Sequence, residues 1–240
     1  MKNYFNNLYT ESYHSYLSNL NKYLSKNIKK FVLTANPEMF YIAQNNKILN
    51  DSLLNKNNDV VVDGIAVLKM AKKYDITVKE KISGVELSKD LIELAYKKKK
   101  TIYLFGSKKE VLDKLLKKLN DSYPGIKIVG HSDGYVKDKE KVIKEIVKLQ
   151  PDVCLVALGI PMQEECIYKC MNKVKKGIYV GVGGTFDVLS GTKKRAPKLF
   201  IKTNTEWLYR ILSEPKRIKR FMKYNVRFVI DILKDKKTND

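Results

Sequence analysis

No apolar run in this 240-residue chain approaches the roughly 20 residues that a membrane-spanning helix needs. Histidine is confined to His14 and His131, and neither sits in a carboxylate pattern from which a metal site could be proposed. The three cysteines, Cys154, Cys166 and Cys170, follow neither zinc-finger spacing nor a paired framework, so reduced thiols in a cytoplasmic protein are expected. The G-x-G-x-x-G fingerprint and the P-loop lysine motif are both missing, which counts against ordinary dinucleotide binding and ATP hydrolysis. The polar, tyrosine-rich start MKNYFNNLYTESYHSYL does not read as a signal peptide. No internal repeat and no low-complexity linker divides the chain. What it has in excess is positive charge: 47 basic against 26 acidic residues, a formal net charge of +21. Such an excess suits nucleic acid, an anionic membrane surface or polyanionic ligands, and composition does not choose among them.

The order of the chain is an alternation of short apolar runs and amphipathic stretches. Tyr13, Leu17, Leu20 and Leu24 fit one helix face. Strands are expected at 31–34, 59–64, 101–106, 126–130, 152–159 and 177–182, with helices over 38–54, 65–73, 83–96, 108–119, 138–149 and 164–174 between them. Nearly continuous apolar strands that take turns with helices predict an α/β fold: a mostly parallel, Rossmann-like sheet covered on both faces. Ligands in such folds sit beyond the carboxyl ends of the strands. Thr34, Asn36, Asp63, Gly106, Gly159, Gly183 and Gly184 all fall there. One compositional shift, after about Arg195, divides a catalytic domain (1–195) from a basic helical appendage (196–240).

Asp63 ends an apolar strand and precedes a glycine, where a carboxylate can take a proton from a hydroxyl nucleophile. The competing reading is a cap on the following helix. Gln163 and Glu164, delivered by the turn Gly159-Ile160-Pro161-Met162, can hydrogen-bond sugar hydroxyls or a nucleobase; alternatively Glu164 only favours the positive end of a helix. The cluster Gly181, Gly183, Gly184 lets backbone N–H groups approach an anion, with Asp187 just beyond it and Arg195 in a basic elbow suited to phosphate. Arg210, Arg217, Arg220 and Arg227 follow in the tail. Around the last helix Ile218, Phe221, Met222, Val226, Val229 and Leu233 form an apolar face opposite Lys216, Arg220, Lys223 and Arg227. That pattern fits a helix lying on anionic lipid, and equally a helix packed on the body with a wet basic side.

Taken together, Thr34-Ala35-Asn36-Pro37, Asp63-Gly64, Phe105-Gly106-Ser107, Gly159 to Glu164, Gly181 to Asp187, Arg195-Ala196-Pro197, Glu206 to Arg210 and Glu214 to Arg217 resemble the WecG/TagA/CpsF family of bacterial glycosyltransferases (glycosyltransferase family 26). The resemblance implies inverting, metal-independent transfer of N-acetylmannosamine or a related hexosamine from a UDP-sugar to N-acetylglucosaminyl diphosphoundecaprenol, in teichoic acid or surface polysaccharide synthesis. The absence of a D-x-D metal motif agrees, and no cofactor is implied. Asp63 is then the general base, with Thr34, Asn36 and Gln163 positioning sugar. The glycine turns and Arg195 lie near the nucleotide, and the basic tail meets the lipid diphosphate. Where the family often has arginine, this chain has Lys81, which supplies charge without a bidentate fork.

These readings imply a protein peripheral at the inner face of the cell membrane, with homo-oligomers an option and no nucleic acid partner. The tail's arginines take over the work of a divalent ion, so the site is expected to be complete only when the tail folds against it. Removing everything after about Lys198 is expected to abolish turnover and leave the body folded. Two other classes compete: a non-catalytic membrane scaffold of a polysaccharide assembly complex, and a basic nucleic-acid-binding module.

Overall fold

The computed structural model describes residues 1–235, without the side chains of Arg217 and Asp235. Two helices, α1 (Lys2–Phe5) and α2 (Tyr13–Ser25), precede a six-stranded sheet made of β1 (Lys29–Ala35), β2 (Asp59–Val62), β3 (Thr101–Gly106), β4 (Lys127–Ser132), β5 (Val153–Ala157) and β6 (Gly177–Gly181). Every neighbouring pair is parallel, in the order β2-β1-β6-β5-β3-β4. Parallel neighbours cannot be joined by a hairpin, so each connection carries helix. These are α3 (Pro37–Ala43) and α4 (Lys47–Leu54), α5 (Ile65–Ala71) and α6 (Gly84–Lys97), α7 (Lys109–Ser122), α8 (Lys139–Leu149) and α9 (Met162–Met171). After β6 come α10 (Thr185–Leu189), α11 (Lys198–Lys202), α12 (Glu206–Ser213), α13 (Arg217–Phe221), a π-helical turn at Met222–Val226, and α14 (Arg227–Asp235).

Successive side chains of a strand point to opposite faces, and both faces here are buried. In β1, Phe31, Leu33 and Ala35 join one core with Met39 and Phe40 of α3 and Ile167 of α9. Val32, between them, joins the other core with Tyr16, Leu20 and Leu24 of α2 and Leu87 and Leu91 of α6. The expected α/β sheet is therefore present, covered on both sides. The single helix expected over 38–54 is two. Gln44-Asn45-Asn46 interrupts it, and the Asn46 side chain accepts the Leu49 N–H at 3.0 Å to cap α4.

The tail is fastened to the body at three points. Phe228 and Ile232 of α14 are fully buried in the same core as β1 and α3, with the Phe228 ring 5.9 Å from Phe40 and 6.3 Å from Phe5. Arg220 Nε donates to both carboxylate oxygens of Glu38 on α3, each at 2.9 Å. Tyr224 packs edge-on against Tyr41 at 5.5 Å. The apolar face expected around the last helix is thus only part of its hydrophobic surface. Ile218, Met222 and Leu233 are exposed, whereas the residues that anchor the helix are Phe228 and Ile232.

Candidate active site

The carboxyl ends of β1 and β2 open into a cavity of about 580 Å³. The body supplies its floor: Asn36 and Pro37 after β1, Asp63 and Gly64 after β2, Met70 of α5, and Lys81 from the strap before α6. The tail supplies its roof: Asn204, Glu206, Trp207 and Arg210 around α12, then Phe221, Asn225, Val226 and Val229. Trp207 and Phe221 stack with centroids 4.7 Å apart and planes 11° off parallel, a flat aromatic wall facing a polar floor. Asn225 and Val226 belong to the π-helical turn, a distortion that recurs at functional sites.

Asp63 is the centre of this arrangement. Its N–H donates to Ala35 O at 2.9 Å, which carries the β1–β2 ladder one residue further and fixes where the side chain leaves the sheet. It does not cap α5: that helix begins after Gly64 with no side-chain cap. Instead its carboxylate accepts the backbone N–H of Gly84, the first residue of α6. The surroundings are close-packed: a Cβ at Gly84 would lie in ordinary contact with Asp63 Oδ2 at 3.5 Å, Thr185 Oγ1 at 3.7 Å and Thr34 Cγ2 at 3.8 Å. Protein closes around the carboxyl group on the sides away from the cavity, and this burial raises its pKa from 3.8 to about 7. Arg210, the Gly84 N–H and Lys81 pull it back down, while Glu206 pushes it further up. A carboxylate poised near neutrality with open space before it is suited to take a proton from a bound hydroxyl.

Thr34, the last buried polar residue of β1, donates its hydroxyl to Gly181 O at 3.0 Å, tying β1 to the end of β6. Asn36 is half-buried and its side chain accepts the Met39 N–H at 3.0 Å to cap α3. Gln163 and Glu164 lie outside the cavity lining, buried beneath the strand ends at 2% and 0% exposure. Gln163 Oε1 accepts the N–H groups of Gly159 (3.1 Å) and Gly183 (3.0 Å), and its Nε2 donates to Glu164 Oε1 at 2.7 Å. Gly183 has a φ of 51° with open space around it, so the turn it shapes leaves backbone uncovered. Gly106 differs: a Cβ there would meet Ala157 O at 2.4 Å, so its glycine permits close approach of β3 to β5.

The cationic residues separate into two groups. Lys81 and Arg210 border the cavity with Asp63, and Arg210 is steadied by Glu206 at 2.5 Å. Arg195 lies off the cavity and pairs with Glu86 on α6. Arg220 holds Glu38, beside a shallower groove shared with Lys219, Lys223 and Ile160. Arg217 opens α13, and its side chain lies outside the described residues. Asp187 sits in α10, where its backbone oxygen accepts from Lys193 N at 2.8 Å. Glu206 and Thr185 stand within the motifs that carry the family resemblance, with no role assigned to either. Asn204 and Asn225 were passed over, and neither carries a local signal. Among the described residues no group of His, Cys, Asp and Glu could hold a metal ion, and no helix is long and apolar enough to cross a membrane.

Residues 4–240 match the model of the glycosyl transferase WecG/TagA/CpsF family. A Bacillus subtilis (strain 168) protein named N-acetylglucosaminyldiphosphoundecaprenol N-acetyl-beta-D-mannosaminyltransferase is 38% identical over 224 residues, covering 93% of this chain and 87% of its own. Proteins of the same name from Bacillus spizizenii and Staphylococcus aureus (strain MW2) are 36% and 34% identical, covering 94% and 86% of this chain and 87% and 81% of theirs.

Proposed function

This chain belongs to the WecG/TagA/CpsF family and is a glycosyltransferase; from that premise we propose that it moves N-acetylmannosamine from a UDP-sugar to N-acetylglucosaminyl diphosphoundecaprenol. The acceptor and the transferred sugar are those in the names of its relatives, and they suit the first steps of wall teichoic acid assembly. The observation that carries the reading is Asp63: a carboxylate at a strand end, facing a cavity, with a pKa pushed up to about 7.

The reaction is a single displacement with inversion. The acceptor hydroxyl oxygen attacks the anomeric carbon as Asp63 takes its proton. The bond from that carbon to the UDP oxygen breaks, and the electron pair leaves with UDP. Negative charge developing on the diphosphate is met by fixed N–H groups and cations in a water-poor site. Lys81 and Arg210 border the reacting end, and the Gly159 and Gly183 turns, whose own N–H groups are held by Gln163 Oε1, bring backbone toward the diphosphate. These groups let the reaction proceed without a divalent ion. Stacked Trp207 and Phe221, with Pro37, Met70 and Val229, give the apolar side of the cavity to sugar faces and the start of the lipid. Around the tail, exposed Leu199, Leu212, Ile218 and Met222 alternate with basic residues, which supports a peripheral position at the inner face of the membrane.

A UDP-release screen in chelator, with several UDP-hexosamines and a short-chain lipid diphosphate acceptor, tests the reading. UDP-N-acetylmannosamine is expected to be the productive donor. Release that requires added metal refutes the mechanism, and release from none of the donors refutes the assignment.

A further inference from the structure

The pair Gln163–Glu164 takes no part in the chemistry above, yet it is among the most deeply buried polar groups in the protein. An amide has a donor end and an acceptor end. Gln163 has its oxygen between two N–H donors, from Gly159 and Gly183, and its NH2 group toward Glu164 Oε1. With the amide turned over, its NH2 group would face those two donors and three donors would crowd together. Glu164, which accepts on the far side, is what makes the observed orientation the favourable one.

The pair also has a place cut for it. A Cβ at Gly181 would lie 2.6 Å from Gln163 Nε2 and 2.8 Å from Glu164 Oε1, so only glycine leaves room there. The pair touches the loop ends of β5 and β6, and the Gly181 carbonyl, which accepts the Thr34 hydroxyl, links them to β1. Among the described residues Glu164 has no cationic partner. The acids nearest it are Glu38 of α3, held by Arg220, and Glu165 of its own helix, which accepts from Asn46 Nδ2 at 2.8 Å. Burial, with a smaller push from these two acids, raises Glu164 to about 8, and its Oε2 has no hydrogen-bond partner. It therefore sits in the protein as a neutral acid near pH 7.

We propose that Glu164 is a positioning residue: by orienting the Gln163 amide it holds the Gly159 and Gly183 turns at the spacing that receives the donor diphosphate. The inference rests on the transferase reading for the identity of the ligand, and on the hydrogen bonds alone for the positioning. Glutamine at 164 keeps the accepting oxygen, whereas leucine fills the space and removes it.

The test compares wild type, Glu164→Gln and Glu164→Leu by donor KM and kcat, and by hydrogen exchange of the Gly159 and Gly183 amides. Glu164→Leu is expected to raise the donor KM by about 10-fold with a smaller change in kcat, the size of one buried hydrogen bond. Exchange is expected to speed up at both turns, while Glu164→Gln stays within about twofold of wild type. Ionisation of the buried acid above about pH 8 keeps the oxygen that accepts from Gln163, so the donor KM of wild type and Glu164→Gln is expected to follow the same course with pH. A folded Glu164→Leu enzyme with unchanged KM and unchanged exchange overturns the proposal. Should that variant fail to fold, a folded Glu164→Ala enzyme with unchanged KM and unchanged exchange overturns it instead. A wild type that releases no UDP refutes the transferase reading, and exchange at the two turns still decides the positioning.

Discussion

A single carboxylate carries two opposed demands. As the proposed base, Asp63 must be ionised to accept a proton, yet burial holds its pKa at about 7 rather than 3.8. Activity limited by this group rises with pH through about 7 and is level above it, so kcat/KM plotted against pH is expected to show an acid limb there. Asp63→Asn is expected to lose about 10² to 10⁴ in turnover, because an amide cannot take the proton. The stability consequence has the opposite sign. An acid whose pKa is raised on folding binds more protons in the native state, so its contribution is lost as pH climbs from about 3.8 to about 7. At pH 8, thermal unfolding of Asp63→Asn is therefore expected at a higher temperature than wild type, by a few degrees. An inactive variant that is no more stable would contradict the burial from which the raised pKa follows. Asp63 was legible in the sequence because an acid that ends an apolar strand has few structural uses. The inward placement of Gln163 and Glu164 was not, since a turn motif does not reveal which way the following helix faces the sheet.

Among the elements, the tail is where sequence pattern and structure differ most. Lys198 to Leu233 reads as a basic, amphipathic appendage, and both a lipid-facing and a body-facing helix fit that pattern. Periodicity identifies an apolar stripe without identifying what covers it. Phe228 and Ile232 answer for α14: they complete the core formed by Phe5, Phe40 and β1. The expectation that a body truncated after about Lys198 keeps its fold therefore changes. Truncation bares a core surface, so the shortened chain is expected to melt earlier as well as to lose its cavity roof. The milder change Phe228→Ala is expected to cost about 3–5 kcal/mol, measurable by chemical denaturation. A loss near zero would mean that α14 does not rest on the body in solution. The strands were easier. Their apolar runs and the glycines at their ends specify a parallel sheet with little ambiguity, whereas the break at Gln44–Asn46 escaped the reading, because a run of polar residues on an exposed face is compatible with one long helix.

For the whole molecule, basic charge and apolar exposure come together in the tail. Leu212 is 66% exposed and Leu199 69%, both on the basic tail. Binding to vesicles that contain anionic lipid is expected to weaken as salt is raised, since Lys and Arg near such a surface are screened within a Debye length. Leu212→Glu is expected to reduce cosedimentation with those vesicles and to leave UDP release with a short-chain soluble acceptor unchanged. Equal binding to neutral vesicles, insensitive to salt, would sink this reading of the tail. The site itself was half legible. Residues that end strands converge for topological reasons, so Asn36 and Asp63 could be grouped in advance, whereas Thr34, grouped with them, lies off the cavity lining and spends its hydroxyl on Gly181 O. Glu206, Asn225 and the Trp207–Phe221 wall come from elements distant in sequence, which only the tertiary fold brings over the sheet.

One consequence follows from the roof being built of Asn204 to Val229 while the floor ends at Lys81. On the ribosome Asp63 emerges long before Asn204, and β6, which lies beside β1 in the sheet, comes out only at 177–181, so neither floor nor roof stands until most of the chain is made. A protease that nicks the tail takes away the roof and bares the core around Phe5 and Phe40. The chamber is a property of the finished chain.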